Sequence, residues 1–300
     1  MNRRIAVSGA SGFIGTALCT ALEARGDTVL RLVRRPVESS DEVFWDWTES
    51  RLEVTKLERL DGFVHLAGSP VATRWNVWSL REIRESRTKG TELLALRLAA
   101  LDRPPPVLVS ASAIGFYGDG RGRQRDDASP RGEGWLANLC EAWELATLPA
   151  SKAGIRVAMP RIGLVLNPAG GALKKMLPAF RLGVGGTLGD GEQGMSWIGL
   201  TDLVSILLFS LDTPKATGPF NATAPHPVSN REFTRTLARA LHRRAFLPMP
   251  GLVVGLIWGE MGHRLMLDGD FIRPTRLAEM GFHFEYETLE TALRKELSPV

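Results

Sequence analysis

The chain has 300 residues, 44% of them hydrophobic and 23% charged, with a net charge of +4 and a sequence pI near 9.3. That length and composition suit one large globular domain with a smaller lobe and exclude a disordered or fibrous protein. The arginines are scattered rather than blocked, which argues against nucleic acid as a partner. Cys19 and Cys140 are too few for a disulfide framework, and the five histidines show no metal-ligand spacing. No metal is expected, and the setting expected is reducing and cytoplasmic. The apolar run at Ile5–Val7 ends at Ser8-Gly9, too soon for a secretion signal. Leu252–Trp258 falls well short of the roughly 20 residues that span a bilayer, so no membrane partner is expected.

In chain order, Ile5–Val7 reads as a buried strand and Phe13–Arg25 as a helix closed by Gly26. Thr28–Val33 and Asp61–Leu66 are further strands, and Leu80–Leu101 is a long helix. Pro106–Ser112 is a strand, Trp135–Leu148 a helix, and Ile155–Leu166 a strand interrupted by Pro160. This alternation predicts an α/β fold of the Rossmann type: a doubly wound parallel sheet with helices on both faces. A glycine-rich stretch follows around the amphipathic Ala172–Leu182, then a helix at Leu200–Leu211 and a returning strand at Pro219–Ala222. From Val228 the pattern is largely helical, broken at Leu247–Pro250 and ending in Leu289–Leu297. The expected division is a nucleotide-binding domain of residues 1–167 plus about 200–225. The remainder, 168–199 plus 226–300, is a smaller, mainly helical C-terminal lobe.

Gly9-Ala10-Ser11-Gly12-Phe13-Ile14-Gly15 follows the first strand and opens the first helix, the context that gives a glycine fingerprint meaning. Gly9 permits the tight turn, Gly12 admits a pyrophosphate, and Gly15 lets helix and sheet approach. The helix N-terminal amides then face the phosphates. At the end of the second strand, a carboxylate would select NAD by binding the ribose 2′-hydroxyl. Arg34 and Arg35 stand there instead and match a 2′-phosphate in charge and geometry, so the expected cofactor is NADP(H).

Several motifs together resemble the short-chain dehydrogenase/reductase superfamily, and within it the NAD(P)-dependent epimerase family. They are GASGFIG at 9–15, HLAG at 65–68, REIRESRTKGTELL at 81–94, SASAIGFYG at 110–118, WLANLCEAWE at 135–144, PRIGLVLNPAGGAL at 160–173 and GEQGMSWIGLTDL at 191–203. The tail GFHFEYETLETALRKEL at 281–297 is similar to the extra C-terminal domain of an atypical subgroup, some members of which are labelled cell-division inhibitors. The resemblance implies cofactor contacts from Gly9, Ser11, Gly12, Phe13, Ile14 and Gly15, from Arg34 and Arg35, and from Leu66, Ala67 and Gly68. It adds Glu82 and Arg87 and the main chain around Ser110 and Val165. Glu82 and Arg87 also fit a solvated helix face.

The family normally moves a proton with a Tyr whose pKa is lowered by a Lys four residues later, beside a Ser that orients the substrate. No Tyr-x-x-x-Lys occurs here; Leu136 and Cys140 fall at the corresponding places. Ser112 keeps the position of the orienting Ser, and Tyr117 is the phenol nearest to it in sequence; these are the candidate catalytic residues. Arg161 and Trp197 are candidates for lining a substrate pocket. The Trp-Ile-His…Asp pattern of the family has Gly199 in place of its His, ahead of Asp202. Two functions follow: an NADP(H)-dependent oxidoreductase or epimerase acting on an unknown small molecule through a non-classical site, or a non-catalytic NADP(H)-binding sensor.

Overall fold

The computed structural model describes residues 3–120, 122–245 and 247–298. The chain begins β1 (Arg4–Ser8), α1 (Phe13–Ala24), β2 (Thr28–Val33), β3 (Glu42–Asp46), β4 (Arg51–Leu52) and β5 (Gly62–His65). It continues α2 (Val77–Ala99), β6 (Val107–Ser110), β7 (Ser112–Ala113), β8 (Gln124–Arg125), α3 (Trp135–Leu145), α4 (Leu148–Lys152) and β9 (Arg156–Ile162). Next come β10 (Leu164–Leu166), α5 (Gly171–Arg181), β11 (Gly194–Met195), β12 (Trp197–Gly199), α6 (Leu200–Asp212) and β13 (Gly218–Ala222). The C-terminal part holds β14 (Val228–Ser229), α7 (Asn230–Ala240), α8 (Gly251–Gly262), β15 (Phe271–Ile272), α9 (Thr275–Glu279) and α10 (Leu289–Glu296).

The main sheet runs β13-β9-β6-β5-β1-β2-β3-β4, parallel throughout except for the β3–β4 hairpin. Its central strands are continuous apolar runs because helices cover both faces. On one face Leu18 and Leu22 of α1 meet Ile206 and Leu207 of α6, and on the other Leu94 and Leu98 of α2 pack on Phe63 and Leu108. Successive strands lie on opposite sides of β1, β2 to one side and β5 to the other. The loops leaving β1 and β5 therefore diverge and open a crevice at their carboxyl ends.

The structure departs from the sequence reading in identifiable places. β3 and β4 extend the sheet beyond β2 where no strand was expected. α2 starts at Val77 rather than Leu80, because Asn76 and Ser79 form a reciprocal capping box. Val77 and Trp78 are exposed and so add nothing to the apolar periodicity. Pro160 does not interrupt β9. On that edge β6 pairs as far as Ala158 and β7 resumes at Arg161, so the proline lies where the ladder is already open. Leu164–Leu166 leaves the main sheet and pairs with β12.

The C-terminal tail is bound to the helices of the main sheet by polar and apolar contacts. Asp202 on α6 is buried, and its carboxylate accepts hydrogen bonds from the backbone N–H groups of Glu285 (2.8 Å) and Tyr286 (3.0 Å). Leu289 and Leu293 belong to the same buried cluster as Leu18 and Ile206. Gly199 explains the missing histidine: a Cβ there would stand 2.8 Å from the Tyr286 ring and 3.3 Å from a Glu296 oxygen. Tail and side chain compete for one volume.

A second polar link lies at the centre. His65 at the end of β5 is fully buried, its Nδ1 2.6 Å from Ser8 Oγ of β1 and its Nε2 3.0 Å from Thr91 Oγ1 of α2. Trp143 Nε1 of α3 donates to the same Thr91 hydroxyl at 3.1 Å. Burial pulls the His65 pKa down to about 3, assisted by the positive charge of Arg87.

Two outcomes follow. Gly199→Ala should destabilise the protein by about 1–3 kcal/mol through overpacking against Tyr286, read as a lower urea midpoint with an unchanged slope. For His65, the folded pKa lies below the unfolded value near 6.5, so the unfolded chain takes up a proton that the native state refuses. Stability is thus unaffected above pH 6.5 and is lost as pH falls toward 3, by about 2 kcal/mol at pH 5. His65→Gln should show that much less loss than the wild type between pH 7 and pH 5; parallel losses would refute the assignment.

Candidate functional site

A cleft of about 770 Å³ opens at the carboxyl ends of β1, β2 and β5. Its floor is the β1–α1 loop. Gly9 has φ +72°, and a Cβ on it would lie 2.9 Å from the Ala67 nitrogen, so the loop rests directly on the strand-end segment Leu66–Gly68. A Cβ on Gly15 would stand 2.0 Å from the Gly9 carbonyl oxygen; helix and loop touch through backbone alone. Gly12 N donates to Gly9 O at 2.9 Å. Helix α1 has no side-chain cap, which leaves first-turn amides directed at whatever occupies the cleft.

The structure brings Gly9, Ser11, Gly12, Arg34, Arg35, Leu66, Ala67, Gly68 and Glu82 together as lining of this one cleft. The Phe13 ring lies against Gly170 and Gly171 at the start of α5, and Gly171 in turn approaches the Val165 carbonyl. Ile14, on α1, is partly buried against the core, and Ser110 is buried with its hydroxyl unpartnered among the described residues. Phe13, Ile14, Ser110 and Val165 are not part of the lining of this cleft.

The two arginines differ. Arg35 is already committed: its guanidinium forms a fork with both oxygens of Glu42 and an ion pair with Glu38 at 3.2 Å. That fork holds the Glu42 carboxyl below its ordinary range. Arg34 is exposed and makes no hydrogen bond or ion pair among the described residues. Both arginines line the cleft, one of them without an ion pair among the described residues and the other paired to a strand that the sequence pattern did not reveal.

Arg87 is a third cation. Its guanidinium lies over the Trp143 ring at 5.1 Å, close beside Gly68, and donates to the carbonyls of Ser69 (2.9 Å) and Ile83 (3.1 Å). Among the described residues no carboxylate pairs with it, and burial draws its pKa down to about 10. The solvated-face alternative is thereby set aside for Arg87. Glu82 is exposed and accepts from Ser69 Oγ at 2.8 Å. Ser69 N donates to Ser86 Oγ at 3.0 Å. Ser69 and Ser86 carried no sequence signal beyond their nearness to HLAG and the Glu82 helix.

The candidate catalytic residues are not on this cleft. Ser112 is buried and donates to Glu144 Oε1 at 2.7 Å. Glu144 receives both Nε (2.7 Å) and Nη2 (2.9 Å) of Arg161, itself buried and stacked 3.4 Å from the Phe116 ring centroid. Arg161 Nη1 donates to Tyr117 Oη at 3.1 Å, and that phenol donates to Asn221 Oδ1 at 2.8 Å. Tyr117 is fully buried and its pKa is pushed up, chiefly by burial. The expectation of a reachable phenol is corrected: the hydroxyl that was to move a proton is locked in an ion-pair network. Arg161, a candidate for lining a substrate pocket, is paired with Glu144, and both stand on the wall of a separate cavity of about 590 Å³ rather than on this cleft. Trp197 is fully buried, its indole N–H donating to the His226 carbonyl at 3.1 Å, and it is not part of the lining of this cleft. Cys140, on the helix turn nearest Arg87, is buried, and burial together with Glu144 pushes its thiol up to about 12.

Residues 5–223 match the NAD dependent epimerase/dehydratase family, and residues 249–296 match a domain of unknown function, DUF1731. An epimerase family protein of Mycobacterium bovis is 41% identical over 293 residues, covering 97% of both chains. Epimerase family protein SDR39U1 of Homo sapiens is 35% identical, over 97% of this chain and 99% of its own length. A crystal structure of the human SDR39U1 with NADPH superposes with a TM-score of 0.89 at 34% identity, covering 97% of this chain and 98% of that one. The sheet order, the glycine loop and these similarities over nearly the whole length agree: the chain belongs to the NAD dependent epimerase/dehydratase family.

Proposed function

We propose that the protein binds NADP(H) in the cleft over β1, β2 and β5, and that Arg34 selects the phosphorylated cofactor. The observation that carries this reading is an exposed guanidinium, without a hydrogen bond or ion pair among the described residues, beside a glycine cradle that side chains would fill. The uncapped N-terminus of α1 takes the pyrophosphate, and the segment Leu66–Gly68 forms the facing wall. Arg35 keeps the loop after β2 in place through Glu42, and Arg87 supplies positive charge at the other end of the cleft. NADPH in the human relative's structure supports the same cofactor here. When bound, a nicotinamide supplies hydride chemistry.

Oxidoreductase or epimerase turnover is the finer reading. The protein's own groups do not favour a proton relay of the usual type. Leu136 has no proton to give, the Cys140 thiol is held neutral, and Tyr117 is committed to Arg161 and Asn221. The second reading, a sensor that holds the nucleotide without consuming it, draws on that same closed network.

Calorimetric titration distinguishes the arginines. A lost charge-assisted hydrogen bond is worth about 1.5–3 kcal/mol, so Arg34→Ala should weaken NADPH at least about tenfold and leave NADH unchanged. Arg35→Ala should have a smaller effect and lower the melting temperature instead. Equal NADPH and NADH affinities in the wild type would remove the assignment. Oxidation of NADPH against a panel of aldehydes, ketones and keto-sugars tests the chemistry: Tyr117→Phe should leave any rate unchanged while costing about 1 kcal/mol of stability. A rate abolished by that substitution, with the fold intact, would restore Tyr117 as a proton donor.

A further inference from the structure

The apolar stretch Leu252–Trp258 has no part in the cleft. In the structure it is most of α8, and the helix is turned outward. Val254 is buried, whereas Leu252 and Leu256 are each 87% exposed and Ile257 is 57% exposed. Residues 245–259 contain no charged side chain at all. A helix that merely covered a core would show the opposite arrangement.

The exposed ridge continues across a neighbouring segment. The chain at 181–189 runs beside 243–249: Arg243 Nε donates to the Arg181 carbonyl at 2.9 Å, Met249 N to Thr187 O at 2.8 Å, and Gly189 N to Met249 O at 2.9 Å. Leu182, at 78% exposure, together with Val184 and Leu247 thereby joins the ridge of α8. Contiguous exposed apolar surface of this kind marks an interaction site.

Charge identifies the occupant. Arg181, His242, Arg243 and Arg244 are exposed along the edge of the ridge, and among the described residues neither Arg243 nor Arg244 pairs with a carboxylate. The acid on α8, Glu260, lies beyond a break in the helix at Gly259 (φ +61°), 3.9 Å from Arg264. A second copy docked face to face would bring two such cationic edges together. A surface that accepts leucines and is itself negative meets both requirements.

We infer that α8, together with Leu182, Val184 and Leu247 and with Arg181, Arg243 and Arg244, seats the protein on an anionic lipid surface, the leucines entering the headgroup boundary and the arginines resting on lipid phosphates. This is adsorption, not spanning: among the described residues no helix is long and apolar enough to cross a membrane. The expectation of no membrane partner rested on the lack of a span and did not consider a surface helix.

Co-sedimentation of the full chain tests it, using vesicles of phosphatidylcholine alone and of phosphatidylcholine with phosphatidylglycerol in equal parts. The protein should pellet with the mixed vesicles and remain in solution with the neutral ones. Leu252→Glu with Leu256→Glu should abolish pelleting while leaving NADPH affinity unchanged, because both side chains are exposed and remote from the cleft. Arg243→Gln with Arg244→Gln should weaken binding about 25-fold, at roughly fivefold per cation near the surface. No pelleting with anionic vesicles, or pelleting indifferent to lipid charge and to both double variants, would overturn the inference. So would a concentration-dependent dimer in sedimentation equilibrium that Leu252→Glu with Leu256→Glu dissolves, since the ridge would then belong to a second copy.

Discussion

The architecture turns on one backbone contact. The Gly9 carbonyl approaches Gly15 so closely that no side chain fits between them, and Gly9 itself rests on Ala67 across the crevice. These two approaches fix α1 over the sheet and bring the ends of β1 and β5 within reach of a single ligand. The Ser8–His65–Thr91 chain lies immediately beneath, tying β1 to β5 and to α2 through groups wholly removed from water. Such a buried polar chain holds one geometry, because any displacement leaves an unpaired donor or acceptor in the interior. The cleft above is accordingly rigid before any ligand arrives.

The buried Glu144–Arg161 pair plays a comparable part on the other side of β6. It takes up the hydroxyls of Ser112 and Tyr117, and Arg161 is clamped between Phe116 and Tyr117. Removing one partner would strand the other charge in the core, a far larger loss than the pair's net contribution. Residues that look catalytic by their place in a motif are thus bound into the frame. Chemistry and scaffold use the same residue types, and only their partners distinguish them.

Much of this was legible in the sequence, for definite reasons. The parallel strands are continuous apolar runs and α6 has a clean periodicity, so both were placed almost to the residue. The glycine loop was legible because its spacing encodes backbone contacts directly. β3 was not, since Glu42–Asp46 mixes charge with aromatic residues and takes its conformation from pairing with β2. With β3 went Glu42, and with Glu42 the knowledge that Arg35 is spoken for. The partners of Ser112, Tyr117, Arg161 and Trp197 were not legible because they are distant in the chain: Asn221 lies more than a hundred positions from Tyr117, beyond any local pattern. Gly199 was noticed as a departure but could be understood only once Tyr286 was seen occupying the space.

The Asp202 clamp bears on how such a chain could be divided. Residues 5–223 and residues 249–296 match two separate family descriptions. Yet the carboxylate in the first helical turn of α6 finds its backbone partners only at Glu285 and Tyr286, and burial raises its pKa. Without residues 249–296, α6 would carry a carboxylate stripped of both these partners, and Phe209 would lose the Phe282 ring packed edge-on against it at 5.4 Å. The boundary between the two matches is therefore not a boundary of packing: a cut placed there would run through one shared interior.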